Sequence, residues 1–403
     1  MRISTDVSIA DVLKAKHIMT DQQMPSKKMI RRRHVIERKV DFGTGGMTKT
    51  ENQTGRQVEL DLLKALAIIS MILCHCVIQL GLHQLGYEQD VRYWIGDYFF
   101  GDYMAVAHAF MFAMGVGVVY SRKSNPADLI RRGIRLYVLG FVLNFFRYGI
   151  YALADGLIEG EFMAETVYAL IVQDILHFAG LALIATGFFK RLKLKENQIF
   201  IIGVILSAIG GPLAFTVQGS YAANYLLGHF ITTTEECSCF VFFNWYVFVG
   251  AGLLFGAILR RTEDRDRLYG RLLCAAGPVM VLYIVLSAAF GPLFLTKNGW
   301  YYAVSLPEAA GLLSIDLTLL GAFHFLLKKA DVSRFSVFIT MSRNVKQIYC
   351  IHWCILGFVD SIFCYLLGVV FPWAGIYLFG IVLTVLAAWI AKRWTERKRR
   401  TEV

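Results

Sequence analysis

The stretch "LLKALAIISMILCHC", residues 62–76, decides the fold class. It belongs to a membrane-length apolar run, and its ionisable interruptions are a lysine near one end and a histidine eleven positions later. A bilayer-crossing helix needs about twenty predominantly apolar residues, because each backbone polar group must find its partner inside the segment. An ionisable side chain within such a segment is costly and therefore points to function.

Outward from that stretch the same texture repeats. The chain has 403 residues, is 56% hydrophobic and only 18% charged, and has a mean hydropathy of +0.52, which is too apolar for a soluble domain. Ten apolar runs fall near 58–81, 98–120, 132–154, 166–188, 197–218, 240–260, 270–291, 307–327, 342–367 and 373–391. The expected fold is therefore all-α, a polytopic integral membrane protein of ten transmembrane helices. The ninth run is the least apolar and is expected to be short or kinked, with its polar start at the interface.

The loops between the runs test the count. "SRKSNPADLIRRGIR", "KRLKLKEN", "RRTEDRDRLYGR", "KKADVSR" and "KRWTERKRR" are basic and alternate with loops that hold almost no Lys or Arg. Under the positive-inside rule this places both termini in the cytoplasm. The formal charge of +11 is thereby a mark of topology, since the basic residues sit in short segments between apolar runs, and a nucleic-acid partner is not expected. Three regions follow: a basic extension at 1–55, expected to be disordered and cytoplasmic, a ten-helix membrane domain at 56–391, and a basic cytoplasmic tail at 392–403. Met47 opens a natural lead into the first helix and is an alternative start. The eight cysteines follow no metal spacing, and six lie in apolar runs as small buried hydrophobes, so neither redox chemistry nor a metal is expected.

Lys64 and His75 share one helical face and stand roughly 16 Å apart along the axis, at about 1.5 Å per residue. The bland alternative is a snorkelling lysine and a histidine satisfied by a neighbouring helix. In "IRRGIRLY", Arg132 and Arg135 point the same way at the start of the third run, where two planar guanidinium groups suit a phosphate and where topology also calls for arginine. Asp174 and His177 in "VQDILHFAG" stand one turn apart in the fourth run, as a carboxylate that orients an imidazole would. With His108, Asp316, His324, Asn344, Lys346 and His352 they suggest a polar interior.

The opening "RQVELDLLKALAIISMILCH" resembles the membrane acyltransferase-3 superfamily, whose first helix carries Arg or Lys followed eleven residues later by His, here Lys64 and His75. The superfamily's R-x-x-R at the start of the third helix matches Arg132 and Arg135. "DILHFAGLALI", "FFNWYVFVGAGLLFGAILRR" and "MSRNVKQIYCIHWCIL" are similar to the heparan-α-glucosaminide N-acetyltransferase-like branch, so the likeness covers residues 56–391. The chain departs in reading "LKALAI" where the superfamily has a glycine, and in lacking a serine before the first glycine of the second run.

That resemblance implies acyl transfer, most often of acetyl, from cytoplasmic acyl-CoA to a hydroxyl or amine of an extracytoplasmic glycan or envelope acceptor in a bacterial plasma membrane. Lys64, Arg132 and Arg135 would hold the phosphates of the donor, and His75 would act as base or as a transient acyl carrier. Asp174 and His177 would orient it or line the acceptor path. A proton-coupled transporter or flippase is the rival class; it calls for Gly/Pro-broken helices in two matching halves, and the seven prolines are not so arranged.

Overall fold

The computed structural model describes residues 56–103, 106–150, 170–235 and 237–401, with 152, 153 and 156. The chain divides into units 1–47 and 48–403, and every described residue belongs to the second. The expected extension at 1–55 and the alternative start lie outside the described residues, apart from the reach of the second unit itself.

Helix α1 is Val58–Gly81, and α2 is Val91–Trp94 continuing as a wider π-helical stretch, Ile95–Tyr103. Then come α3 (Ala107–Tyr120), α4 (Pro126–Asn144, followed by a π turn at Phe145–Gly149), α5 (Ile175–Arg191) and α6 (Glu196–Leu213). The rest are α7 (Tyr221–Leu227), α8 (Phe242–Arg261), α9 (Arg265–Phe290), α10 (Leu306–Lys329), α11 (Ser336–Arg343), α12 (Val345–Phe358, continued by a π stretch Val359–Leu366) and α13 (Trp373–Thr401). No strand occurs among the described residues.

Among the described residues seven helices are long and apolar enough to cross a membrane: α1, α6, α8, α9, α10, α12 with its π stretch, and α13. The chain is an integral membrane protein. The second, third and fourth runs are helical as well, but each is shortened or more polar. The second is interrupted before Ala107, the third carries its arginines inside α4, and the fourth begins as α5 only at Ile175. The ninth run breaks at Asn344, which ends α11 and precedes α12, as its polar start leads one to expect. Beyond the tenth run the helix does not stop at residue 391 but continues to Thr401. The sequence "KRWTERKRR" holds no Gly or Pro and is rich in good helix formers, so the helix propagates.

Helix α1 is the hub. It packs against the π stretch of α2 and against α3, α10, α11, α12 and α13, and it is buried along most of its length. Around it, α3 pairs with α8, α8 with α6, α4 with α5, and α9 with α10. The α3–α8 crossing is close because Gly115 and Gly252 face each other. A Cβ on either would run into the partner's backbone. Small residues let backbones approach where lipid offers no hydrophobic drive for association. By contrast α6 and α9 expose most of their side chains, as an outer, lipid-facing layer would.

Candidate functional site

Four segments bring polar groups together beside the second half of α1. The first is His75 itself. The second is the π turn after α4: Asn144, fully buried, donates to the carbonyls of Leu170 (3.1 Å) and Val172 (2.7 Å) and so ties this turn to the strand of chain entering α5. Arg147 follows on that turn. The third segment is Asp174, whose extended backbone immediately precedes α5. The fourth is α12, where Tyr349, His352 and Trp353 fall three and four residues apart and share a face.

Their side chains form one connected cluster. His75 Nδ1 lies 2.9 Å from His352 Nε2, and His352 Nδ1 lies 3.2 Å from the carbonyl oxygen of Ile348. A carbonyl can only accept, so Nδ1 of His352 carries the proton and its Nε2 presents a lone pair. Nδ1–H of His75 donates to that lone pair, and neutral His75 is left with an unprotonated Nε2. The Trp353 ring lies 4.4 Å from the His75 ring and, on its other contacts, 3.7 Å from the guanidinium carbon of Arg147. Arg147 Nη1 stands 3.1 Å from Asp174 Oδ2, to which the Tyr349 hydroxyl also donates. Arg147 Nε is buried and has no partner among the described residues.

His75, Arg147, Asp174, Tyr349 and Trp353 line a cavity of about 410 Å³, with His352 behind His75. Its other wall is aromatic and comes from the loop before α10. Asn244 donates to the carbonyls of Ala303 (3.2 Å) and Val304 (2.9 Å), and the Trp245 indole donates to Tyr302 O (3.0 Å). Helix α8 thus holds Trp300, Tyr301 and Tyr302 against the cavity. Burial pushes the Tyr302 hydroxyl well above its ordinary range, so it remains a neutral donor. Asp97, just ahead of the second run, also lines the cavity, and burial pushes its carboxyl up to about 6.

A second pocket, of about 450 Å³, opens at the other end of α1. Lys64 lines it together with Arg56, Tyr120 and Arg343. Asp61 organises this group: it pairs with Arg56, lies 3.3 Å from Lys64 Nζ and accepts the Ser342 hydroxyl at 2.6 Å. Lys64 and His75 therefore serve different pockets at the two ends of one helical face. Ile68 and Met71 stand between them on that face, and both are buried.

Of the remaining sequence candidates Asp174 lines the cavity, and the others fall elsewhere. Arg132 and Arg135 sit on α4, which packs on α5; Arg132 Nη1 donates to Lys123 O at 3.3 Å, and neither arginine lines the Lys64 pocket. Asp174 and His177 do pair, but not as carboxylate to imidazole. The backbone N–H of Asp174 donates to His177 Nδ1 at 3.0 Å, which caps the start of α5 and leaves the carboxylate to Arg147 and Tyr349. His177 packs between Tyr137 and Phe141, with Gly140 against its ring. His108 and Asp316 form a fully buried pair joining α3 to α10, and His324 bridges Glu59 and Asp266; none of these lines the cavity.

The family described as heparan-alpha-glucosaminide N-acetyltransferase, catalytic, matches residues 56–308. The chain belongs to this family. It is thus an acetyltransferase of the membrane, from a family that uses acetyl-CoA as donor. The match holds to the N-acetyltransferase branch of the resemblance seen in the sequence. No curated protein matches the chain. Within the family segment lie His75, Arg147 and Asp174, whereas Tyr349, His352 and Trp353 come from the helix beyond it. Sequence reasoning named His75, Asp174 and His352 but missed Arg147, Tyr349 and Trp353. Arg147 lies toward the far end of the third run, where an arginine reads as an end-of-span anchor, and Tyr349 and Trp353 read as ordinary aromatic residues of a membrane helix.

Proposed function

We propose that this protein transfers an acetyl group from acetyl-CoA, bound at the cytoplasmic face, to an amine or hydroxyl of a carbohydrate or cell-envelope acceptor entering the cavity from the other side of a bacterial plasma membrane. The observation that carries the reading is the His75–His352 pair, which leaves a basic nitrogen on a group lining an aromatic cavity in a chain of an acetyltransferase family.

The donor's phosphates sit in the pocket of Arg56, Lys64 and Arg343, where three cations face one carboxylate. Its pantetheine arm runs along the α1 face toward His75, roughly 16 Å away, displacing the flexible Met71 side chain. Arg132 and Arg135, at the same basic side, act in steering the anionic donor rather than in gripping it. The acceptor stacks on Trp300 and Tyr301 in the cavity.

In the chemical step the acceptor's N or O attacks the thioester carbonyl carbon. His75 Nε2 takes the proton that the attacking atom loses, and its Nδ1–H stays bonded to His352 as the ring becomes cationic. The carbonyl oxygen, gaining charge, is met by the free Nε–H of Arg147. Collapse breaks the C–S bond, and the thiolate recovers the proton from His75. The alternative order, in which His75 Nε2 itself attacks and holds the acetyl group before the acceptor does, uses the same nitrogen. Asp174 and Tyr349 position Arg147.

The test is acetyl-CoA binding by calorimetry in nanodiscs, followed by mass spectrometry of glucosamine and of hydroxyl-only glycans incubated with the loaded protein. Saturable binding together with an acetylated product supports the proposal. A folded protein that binds neither acetyl-CoA nor longer acyl-CoAs overturns it in favour of transport.

A further inference from the structure

The end of α1 and the π stretch after α12 meet at a group that the acyl-transfer scheme does not use. His83 Nε2 lies 2.8 Å from Asp360 Oδ1, and the Cys364 thiol completes a set whose three ligand atoms all lie within 4.8 Å of one another. Among the described residues this is the one group of three or more His, Cys, Asp or Glu side chains so placed. We propose that His83, Asp360 and Cys364 form a binding site for a divalent transition metal, zinc first.

The chemistry of the donor set selects the ion. Imidazole, carboxylate and thiolate together suit zinc, whereas magnesium and calcium prefer oxygen alone. Zinc bonds of about 2.0–2.3 Å place tetrahedral ligands closer together than 4.8 Å, so the thiol must close in by rotation about its side-chain bonds. Asp360 and Cys364 are four residues apart on one widened helical stretch, which presents both to His83. In the metal-free arrangement a proton joins His83 to Asp360; the ion takes the place of that proton and of the thiol proton. Three protein ligands leave one tetrahedral position for water or a further group.

The site also touches the cavity wall. Gln79 donates to the other carboxylate oxygen, Asp360 Oδ2, at 3.2 Å and itself lines the cavity. A bound ion would fix Asp360, and through it Gln79, while joining the end of α1 to the end of α12. Sequence spacing could not show this, since His83 and Asp360 are 277 positions apart.

The experiment uses the purified full-length protein, stripped with a chelator and reloaded with zinc or cobalt alone. Wild type should hold one zinc per chain and give a cobalt–thiolate charge-transfer band, both lost in His83→Ala and Cys364→Ser and retained in Cys274→Ser, a change at an exposed cysteine outside the site. Because either site variant could fold poorly, wild type alone provides a second readout: zinc should protect Cys364 from alkylation, mapped by mass spectrometry. Zinc content equal in wild type and Cys364→Ser, a cobalt spectrum without the thiolate band, or alkylation of Cys364 unchanged by zinc would each overturn the site.

Discussion

His75 Nδ1 and His352 Nε2 meet at 2.9 Å across the α1–α12 contact, and the Ile348 carbonyl behind His352 sets the tautomer of both rings. In the proposed chemistry His352 is therefore a positioning residue. His352→Ala should lower kcat by about ten- to a hundredfold with little change in KM for acetyl-CoA. His352→Gln, whose amide oxygen can still accept from His75, should recover part of that loss. Equal loss in both variants would show that His352 only fills space.

Arg147 is held by Asp174 on one side and stacked on Trp353 on the other. Removing one member of a buried pair leaves the other charge uncompensated, at about 3–5 kcal/mol. Asp174→Ala should thus lower the thermal midpoint sharply. Asp174→Ala combined with Arg147→Met should regain stability without regaining acetyl transfer. Thermal scans in detergent read the first effect, and product formation reads the second.

The proposed donor pocket makes a prediction that separates its cations from those of α4. Lys64→Gln and Arg343→Gln should each weaken acetyl-CoA binding by about three- to tenfold, with the difference shrinking as salt is raised. Arg132→Gln with Arg135→Gln should leave equilibrium affinity nearly unchanged and slow association at low salt. Titration calorimetry and stopped-flow binding distinguish these outcomes.

Asp97 supplies a pH test. Burial raises its folded-state pKa to about 6, so the folded protein takes up this proton more readily than the unfolded chain. Its unfavourable contribution is absent below the ordinary carboxylate range. It grows as pH rises toward about 6 and is constant above that. Asp97→Asn should stabilise the protein by about 1–2 kcal/mol at pH 8 and have almost no effect near pH 3. A stabilisation that did not vary with pH would refute the assignment.

The α3–α8 crossing gives a purely structural prediction. Gly252→Val forces a branched side chain into the backbone of α3 and should cost about 3 kcal/mol or more. Gly117→Ala, whose Cβ would meet open space, should be nearly neutral.

Fold class was legible in the sequence because hydropathy reports the one constraint that lipid imposes on every span. Element ends were less so: Asp174 reads as mid-helix by composition, yet the Asn144 hydrogen bonds hold the non-helical chain at Leu170 and Val172, and α5 starts only after Asp174. Lys64 and His75 were visible because their spacing lies within one helix. Arg147, Tyr349 and Trp353 gain their roles from contacts between helices far apart in sequence, and no local pattern encodes those. The pairing of His177 with the Asp174 backbone shows the limit of spacing arguments. The same one-turn offset that brings a carboxylate to an imidazole also builds a helix cap.

The most direct test of the account is the rate of CoA release from acetyl-CoA by His75→Ala in nanodiscs, in the presence of an acceptor that the wild-type protein acetylates. The variant should bind acetyl-CoA as wild type does, because Lys64 and its neighbours are untouched. It should release CoA at least about a hundredfold more slowly, since the nitrogen that takes the proton or the acetyl group is gone. Release within a few-fold of wild type would contradict the central claim and remove His75 from the chemistry.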